Sequence, residues 1–240
     1  MRSLPVVRPR GVRYERDSAF SYACHACSRC CFHKIIHLNP YEVARLAQNR
    51  GISTTEFLSH YTAANGTALK QQNDGACIFL TSQGCGVHSD RPLVCRLYPL
   101  GRQVTSEGEE WFSEAAPHPE SEGKYSTGGT GEEFLSKEGT QPFIEAVDRY
   151  VELVGQMSHV LLENTVHDST LQQHVQDMVE SQVHAQNHEV PAILDMGQVV
   201  GSYCADRGVP LPSDVTEKMN LHIQVIEEWL NNEYHLTRRD

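Results

Sequence analysis

Residues 24–31 read CHACSRCC, and residues 77–99 read CIFLTSQGCGVHSDRPLVCRLYP. The first stretch sets Cys24, Cys27 and Cys30 at three-residue intervals, with Cys31 directly after. That spacing lets a short loop wrap several thiolates around one compact centre. Adjacent side chains tend to point apart, so Cys30 and Cys31 serve different directions or different metals more readily than they chelate one ion. The second stretch supplies Cys77, Cys85 and Cys95, each close to a glycine or proline turn. Loop closure costs entropy only as the logarithm of loop length, so one site can combine both stretches.

Seven of the eight cysteines lie between positions 24 and 95, and only Cys204 lies outside. An odd, dense cluster fits disulfides poorly. In a reducing cytoplasm, close-spaced thiols read as metal ligands or redox groups. Seven cysteines within 72 residues acting only as small buried hydrophobes is the weaker alternative. All seven, Cys24, Cys27, Cys30, Cys31, Cys77, Cys85 and Cys95, are therefore candidate metal ligands. Zinc takes four tetrahedral N or S donors, and an iron-sulfur cluster also takes four thiolates. Seven candidates exceed either need, leaving open one centre with spare cysteines or two centres sharing a loop. Ferredoxin-type loops share the two-residue spacing but continue through three residues to a fourth cysteine and a proline, which this chain does not do.

A chain of 240 residues with 39% hydrophobic and 21% charged residues has the composition of a folded globular protein in two parts. No apolar run approaches the length of a membrane span, and the start MRSLPVVRPRGVRY lacks the core of a signal peptide, so a cytoplasmic location is expected. The net charge of -11 conceals a division. Residues 1–100 carry 12 Lys and Arg against 6 Asp and Glu, whereas residues 101–240 carry 8 against 25. Ionised thiolates themselves call for nearby positive charge, so the basic half does not require nucleic acid. Neither a nucleic-acid nor a membrane partner is expected, and a docked protein partner is compatible with the acidic helical half.

Residues 1–20 show no period and read as an arm. Asn39-Pro40 opens a helix that continues through Val43, Ala44, Leu46 and Ala47 to Gly51, and Ser53 with Glu56 forms a capping box for a second helix. From 101 to 139, glycine, glutamate and serine dominate, with Trp111, Phe112, Tyr125, Phe134 and Leu135 as anchors, which reads as a long ordered loop. Helical periodicity then covers roughly 141–163, 168–187, 192–207 and 213–235, with spacings such as Val215, Met219, Ile226 and Trp229 or Leu230. The expected fold is mainly α: an irregular cysteine-rich metal-binding segment with short helices, packed on a C-terminal helical bundle. Its expected boundaries are 1–100, 101–139 and 140–240.

Other constellations carry less. His184 and His188 stand four apart, with His174 and His167 before them, but no glutamate follows His184 as a zinc-protease motif requires. Gly128-Gly129-Thr130-Gly131 lacks the lysine and the sequence signal of a preceding strand that a phosphate loop needs. His33, His37 and His88 read as hydrogen-bonding neighbours of the cysteines, and Cys204 as a packing residue. Arg91 and Arg96 flank Cys95, either as donors to anionic sulfur or as a salt-bridging pair.

The runs CHACSRCC, CIFL, GCGVHSDRP and CRLYP resemble the YkgJ-like CxxCxxCC family of zinc- or iron-chelating proteins. The resemblance covers Cys24 to about Pro99, and PHPESEGKY through QPFIEAVDRY is similar to what some members carry next. It implies a bacterial cytoplasmic metal-binding protein with an iron-sulfur cluster or Zn2+. A flagellin lysine methylase with a comparable cluster, bound to an iron-sulfur centre, adds a methyl-transfer alternative. One departure lies in the first loop, where a glycine often precedes the CC pair and Ser28-Arg29 stand here. The leading expectation is a thiolate-ligated centre, iron-sulfur rather than zinc, in a binding or electron-transfer role. The alternatives are a redox or methyl-transferring enzyme with unassigned catalytic residues, and a structural zinc module.

Overall fold

The computed structural model describes residues 12–115, 118–167 and 191–237. The expected helix at 168–187 and the histidines His174, His184 and His188 lie outside them. Two compact units divide the chain: Met1–Ile36 with Lys70–Ile144, and His37–Leu69 with Glu145–Asp240.

In the first unit, β1 (Arg13–Tyr14), β7 (Leu100–Val104) and β8 (Glu110–Glu114) form an antiparallel sheet in the order β1-β8-β7. A second ladder joins β2 (Ala19–Ala23) to β9 (Lys124–Thr130), with a bulge between Ala19 and Ser21. A small hairpin, β5 (Leu80–Thr81) with β6 (Gly84–Cys85), and two helices, α3 (Leu93–Leu97) and α4 (Gly131–Lys137), complete the unit. Phe20, Phe112, Phe134 and Leu135 fill its core. The Phe20 ring meets Tyr14 and Phe134 edge-on at centroid distances of 5.4 and 5.1 Å, the geometry aromatic quadrupoles favour. Arg16 and Arg102 both pair with Glu110 at 2.5 Å, and Arg16 also reaches Glu132 at 2.6 Å.

These strands correct the mainly-α expectation. Nine strands in four small sheets stand beside seven α-helices among the described residues. The stretch 101–139, expected as a loop, holds most of β7, all of β8 and β9, and α4. Residues 13–23, expected as an arm, supply the partners β1 and β2. Backbone amides that leave water must pair, and here they pair across about a hundred residues of chain, so composition near either strand carries no trace of the match.

The second unit holds α1 (Pro40–Arg50), α2 (Thr54–Tyr61), a hairpin of β3 (Thr62–Ala63) with β4 (Ala68–Leu69), α6 (Met196–Arg207), α7 (Val215–Thr237) and α5 (Gln141–His167) from Glu145 onward. Asn39 caps α1 in a full capping box with Glu42, Pro40 opens its first turn and Gly51 ends it at φ 67. Ser53 and Glu56 do the same for α2. Tyr41, Leu46, Phe57, Met196, Met219 and Ile226 are the largest fully buried apolar side chains of this unit. Trp229, grouped with the inward spacing of α7, is 49% exposed. No helix among the described residues is long and apolar enough to cross a membrane.

Candidate metal centre

The loop from Cys24 to Cys31 turns by left-handed residues in place of glycine. Ala26 has φ 52 and Ser28 φ 60, so the turn that carries no glycine still closes, and Arg29–Cys31 follow as a single 3-10 turn. At the first corner the Ala26 amide donates to the Cys24 sulfur at 3.4 Å. Beyond the CC pair, the chain runs antiparallel to residues 75–77. The Cys77 amide donates to the Cys31 carbonyl at 2.8 Å, Phe32 bridges Ala76, and the His33 amide donates to the Gly75 carbonyl at 2.8 Å. Cys31 and Cys77 are thereby set side by side.

Cys85 returns to this region through the β5-β6 hairpin, where it faces Leu80, and the Gly86 amide donates to the Phe79 carbonyl. Cys95 lies in α3, whose first turn begins at Pro92. None of the eight cysteines is in a disulfide. Cys24 is exposed, the other six of the cluster are partly exposed, and Cys204 is buried.

The thiols share one electrostatic neighbourhood. Cys31 donates to the Cys30 sulfur, and this bond, against burial and aided by Lys34 and Arg91, lowers Cys30 to about 6. The same bond, then burial and the sulfurs of Cys30, Cys77 and Cys95, push Cys31 far up. Burial raises Cys77, opposed by the Phe79 amide at its sulfur and reinforced by Cys85 and Cys30. Tyr22 and Tyr98 are both raised, chiefly by burial, and among the further causes are Cys24 and Cys30 for the first and Cys30 and Cys27 for the second. Cys30, Cys31, Cys77, Cys85 and Cys95 thus lie in one mutually interacting group, and Cys24 and Cys27 act on the two tyrosines. No three His, Cys, Asp or Glu side chains among the described residues are already arranged to hold a metal ion.

The donor set suits a soft metal centre. Thiolates are what zinc and iron-sulfur clusters bind, and Lys34 and Arg91 near Cys30 favour its sulfur in the ionised form. Arg96 has another task. Its guanidinium donates to the carbonyls of Arg91 at 2.9 Å, Glu138 at 2.8 Å and Ser89, and lies 4.1 Å over the Phe143 ring. Arg91 pairs with Glu138, donates to the His88 carbonyl and also acts on the Cys30 thiol.

The neighbouring histidines do not join the thiols. His33 packs its ring against Gly75, His37 bridges Ala68 in the second unit, and His88 contributes its carbonyl to Arg91. The Gly128–Gly131 segment forms the end of strand β9 and the start of α4, a strand the sequence reading did not see, but Thr130 and Glu133 close a capping box on α4 and occupy that helix start themselves. A groove of about 640 Å³ in the second unit lies among the starts of α2, α6 and α7, which Ser53, Asp195 and Asp214 already cap. Sequence reading missed Tyr22 and Lys34. Tyr22 meets Tyr98 edge-on at 6.0 Å, and the Lys34 ammonium sits 4.4 Å over the Tyr98 ring. Their positions beside Cys24 and Cys31 were the available signal.

The cysteine loop and its partners define a metal-binding cysteine-cluster domain. Residues 23–117 match the CxxCxxCC domain family, described as a "putative zinc- or iron-chelating domain". Comparison with curated proteins found no match, and comparison with solved structures found none either.

Proposed function

We propose that the segment from Cys24 to Cys95 holds a thiolate-ligated centre, an iron-sulfur cluster in preference to zinc, and serves as a binding or electron-transfer module. Its ligands are drawn from Cys24, Cys27, Cys30, Cys31, Cys77, Cys85 and Cys95. The observation that carries this reading is the pairing of residues 31–33 with 75–77, which brings two remote cysteine stretches together with no disulfide between them. The CxxCxxC spacing favours a cluster, which such a loop can wrap, and seven thiols exceed the four of one zinc site. Nearby Lys34 and Arg91 offset the charge of several thiolates. An exposed Cys24 suits exchange of electrons with a partner. Eight cysteines without a disulfide fit a reducing, cytoplasmic setting.

The test is anaerobic purification of the full chain followed by analysis for iron, zinc and acid-labile sulfide, with a visible spectrum of the same sample. Iron and sulfide in equal amounts with visible absorption support the reading. Colourless protein with stoichiometric zinc replaces it with a structural zinc module, and protein that takes up neither metal removes it.

A further inference from the structure

Beyond Cys95, residues 118–123 return toward the cysteine loop and contact Tyr98, Arg29 and Tyr22. The His118 amide donates to the Tyr98 hydroxyl at 3.3 Å. Glu120 pairs with Arg29, inside the Cys27–Cys30 turn, at 3.2 Å. Ser121 shares a hydrogen bond of 3.4 Å with the Tyr22 hydroxyl. Gly123 lies so close under the Tyr22 ring that a Cβ there would fall 1.9 Å from its hydroxyl oxygen. The His118 ring accepts from the Glu120 amide, which tightens the turn itself.

The two tyrosines held this way are the ones that interact with Cys24, Cys27 and Cys30. Tyr22 is 5% exposed, and Tyr125, from the strand that follows, meets it edge-on at 5.0 Å. One short segment therefore fixes both rings at their hydroxyl ends and the cysteine turn at Arg29. Neither Tyr22 nor Glu120 needs to touch a metal for this to matter.

We propose that residues 118–123 are a strap over the Cys24–Cys31 loop, and that Glu120, Tyr22 and Tyr98 are positioning residues that restrict access of small reagents to Cys27 and Cys30. The strap governs thiol access with or without metal. Its consequence for metal retention rests on the proposed metal-binding reading.

Iodoacetamide labelling of the reduced full chain, as purified and after chelator treatment, tests it, with each cysteine followed by peptide mass spectrometry. Both partners of the Arg29–Glu120 pair are exposed, and such a pair is weak, so Glu120→Gln should speed labelling of Cys27 and Cys30 about threefold, with Cys77 and Cys85 unchanged. Glu120→Asp should restore most of the wild-type rate. Gly123→Ala displaces the Tyr22 ring and should raise the Cys27 and Cys30 rates about tenfold through local opening, with the exposed Cys24 changing least. Equal acceleration of all seven thiols, or none in either variant, overturns the strap. Metal analysis of the same samples is read separately: a chain without metal removes the metal-binding reading, while the labelling pattern alone decides the strap.

Discussion

The hydroxyl of Tyr150 lies 2.9 Å from Nδ1 of His222, with the histidine wholly buried and the tyrosine 7% exposed. The phenol and the neutral imidazole share a hydrogen bond there, while the Ile193 carbonyl also lies by the ring. Burial lowers His222 from 6.5 to about 4 and raises Tyr150. Between these values the unfolded chain takes up a proton that the folded chain refuses, so stability rises with pH in this window. The contribution is fully present above about pH 6.5 and is lost as pH falls toward 4. From pH 7.5 to 5.0 this one group should remove about 2 kcal/mol. Urea unfolding at the two pH values checks it: His222→Gln should shrink the difference by that amount, and an unchanged difference would sink the assignment.

Gly75 has φ +83, and a Cβ at that position would fall 2.3 Å from Nδ1 of His33. Two penalties therefore meet in Gly75→Ala: about 1–2 kcal/mol for a left-handed non-glycine residue, and displacement of the ring that packs there. Because this turn pairs residues 31–33 with 75–77, the loss should appear both in the unfolding midpoint and in metal content. The double variant His33→Ala with Gly75→Ala should recover the steric part and leave the backbone part. Equal stability of the single and double variants would show that the imidazole contact costs nothing.

Local signals were legible where the structure is local. Asn39-Pro40 with Gly51, and Ser53 with Glu56, mark α1 and α2 because a cap is written within four residues. The cysteine spacing identified the thiols for the same reason. The β1-β8 and β2-β9 ladders were not legible, since Arg13 finds Ser113 and Tyr22 finds Tyr125 across long loops, and a two-residue strand has no period to detect. Phe112, Phe134 and Leu135 were recognised as anchors and are buried, but only the pairing shows that Phe112 anchors a strand. Arg29–Glu120 and Tyr22–Ser121 belong to the same illegible class.

Arg96 is 8% exposed, and three carbonyls with one aromatic face engage its planar guanidinium. Lysine keeps the charge but cannot fan donors in one plane toward Arg91, Ser89 and Glu138. Arg96→Lys should destabilise the chain by about 2–3 kcal/mol, as two charge-assisted bonds are lost and their carbonyls stay partly buried. Urea unfolding measures this directly. A lysine variant within about 0.5 kcal/mol of the parent would mean that the fork geometry is irrelevant and charge alone suffices.

Serine substitution of each cysteine, with metal-to-protein ratios measured after anaerobic purification, distinguishes ligands from bystanders. Cys204 is 3% exposed and only faces the Pro210 carbonyl at 3.8 Å, in the second unit. Cys204→Ser should therefore keep full metal and lose about 1 kcal/mol from burying a hydroxyl. Among the seven clustered cysteines the pattern is decisive because serine is a poor thiolate substitute. One four-thiolate centre predicts that four variants lose the metal and three retain it. Two centres sharing the loop predict a partial loss in every variant, since each removal empties one site and leaves the other. Loss of metal on Cys204→Ser alone would place the donor set elsewhere and overturn the assignment of residues 24–95.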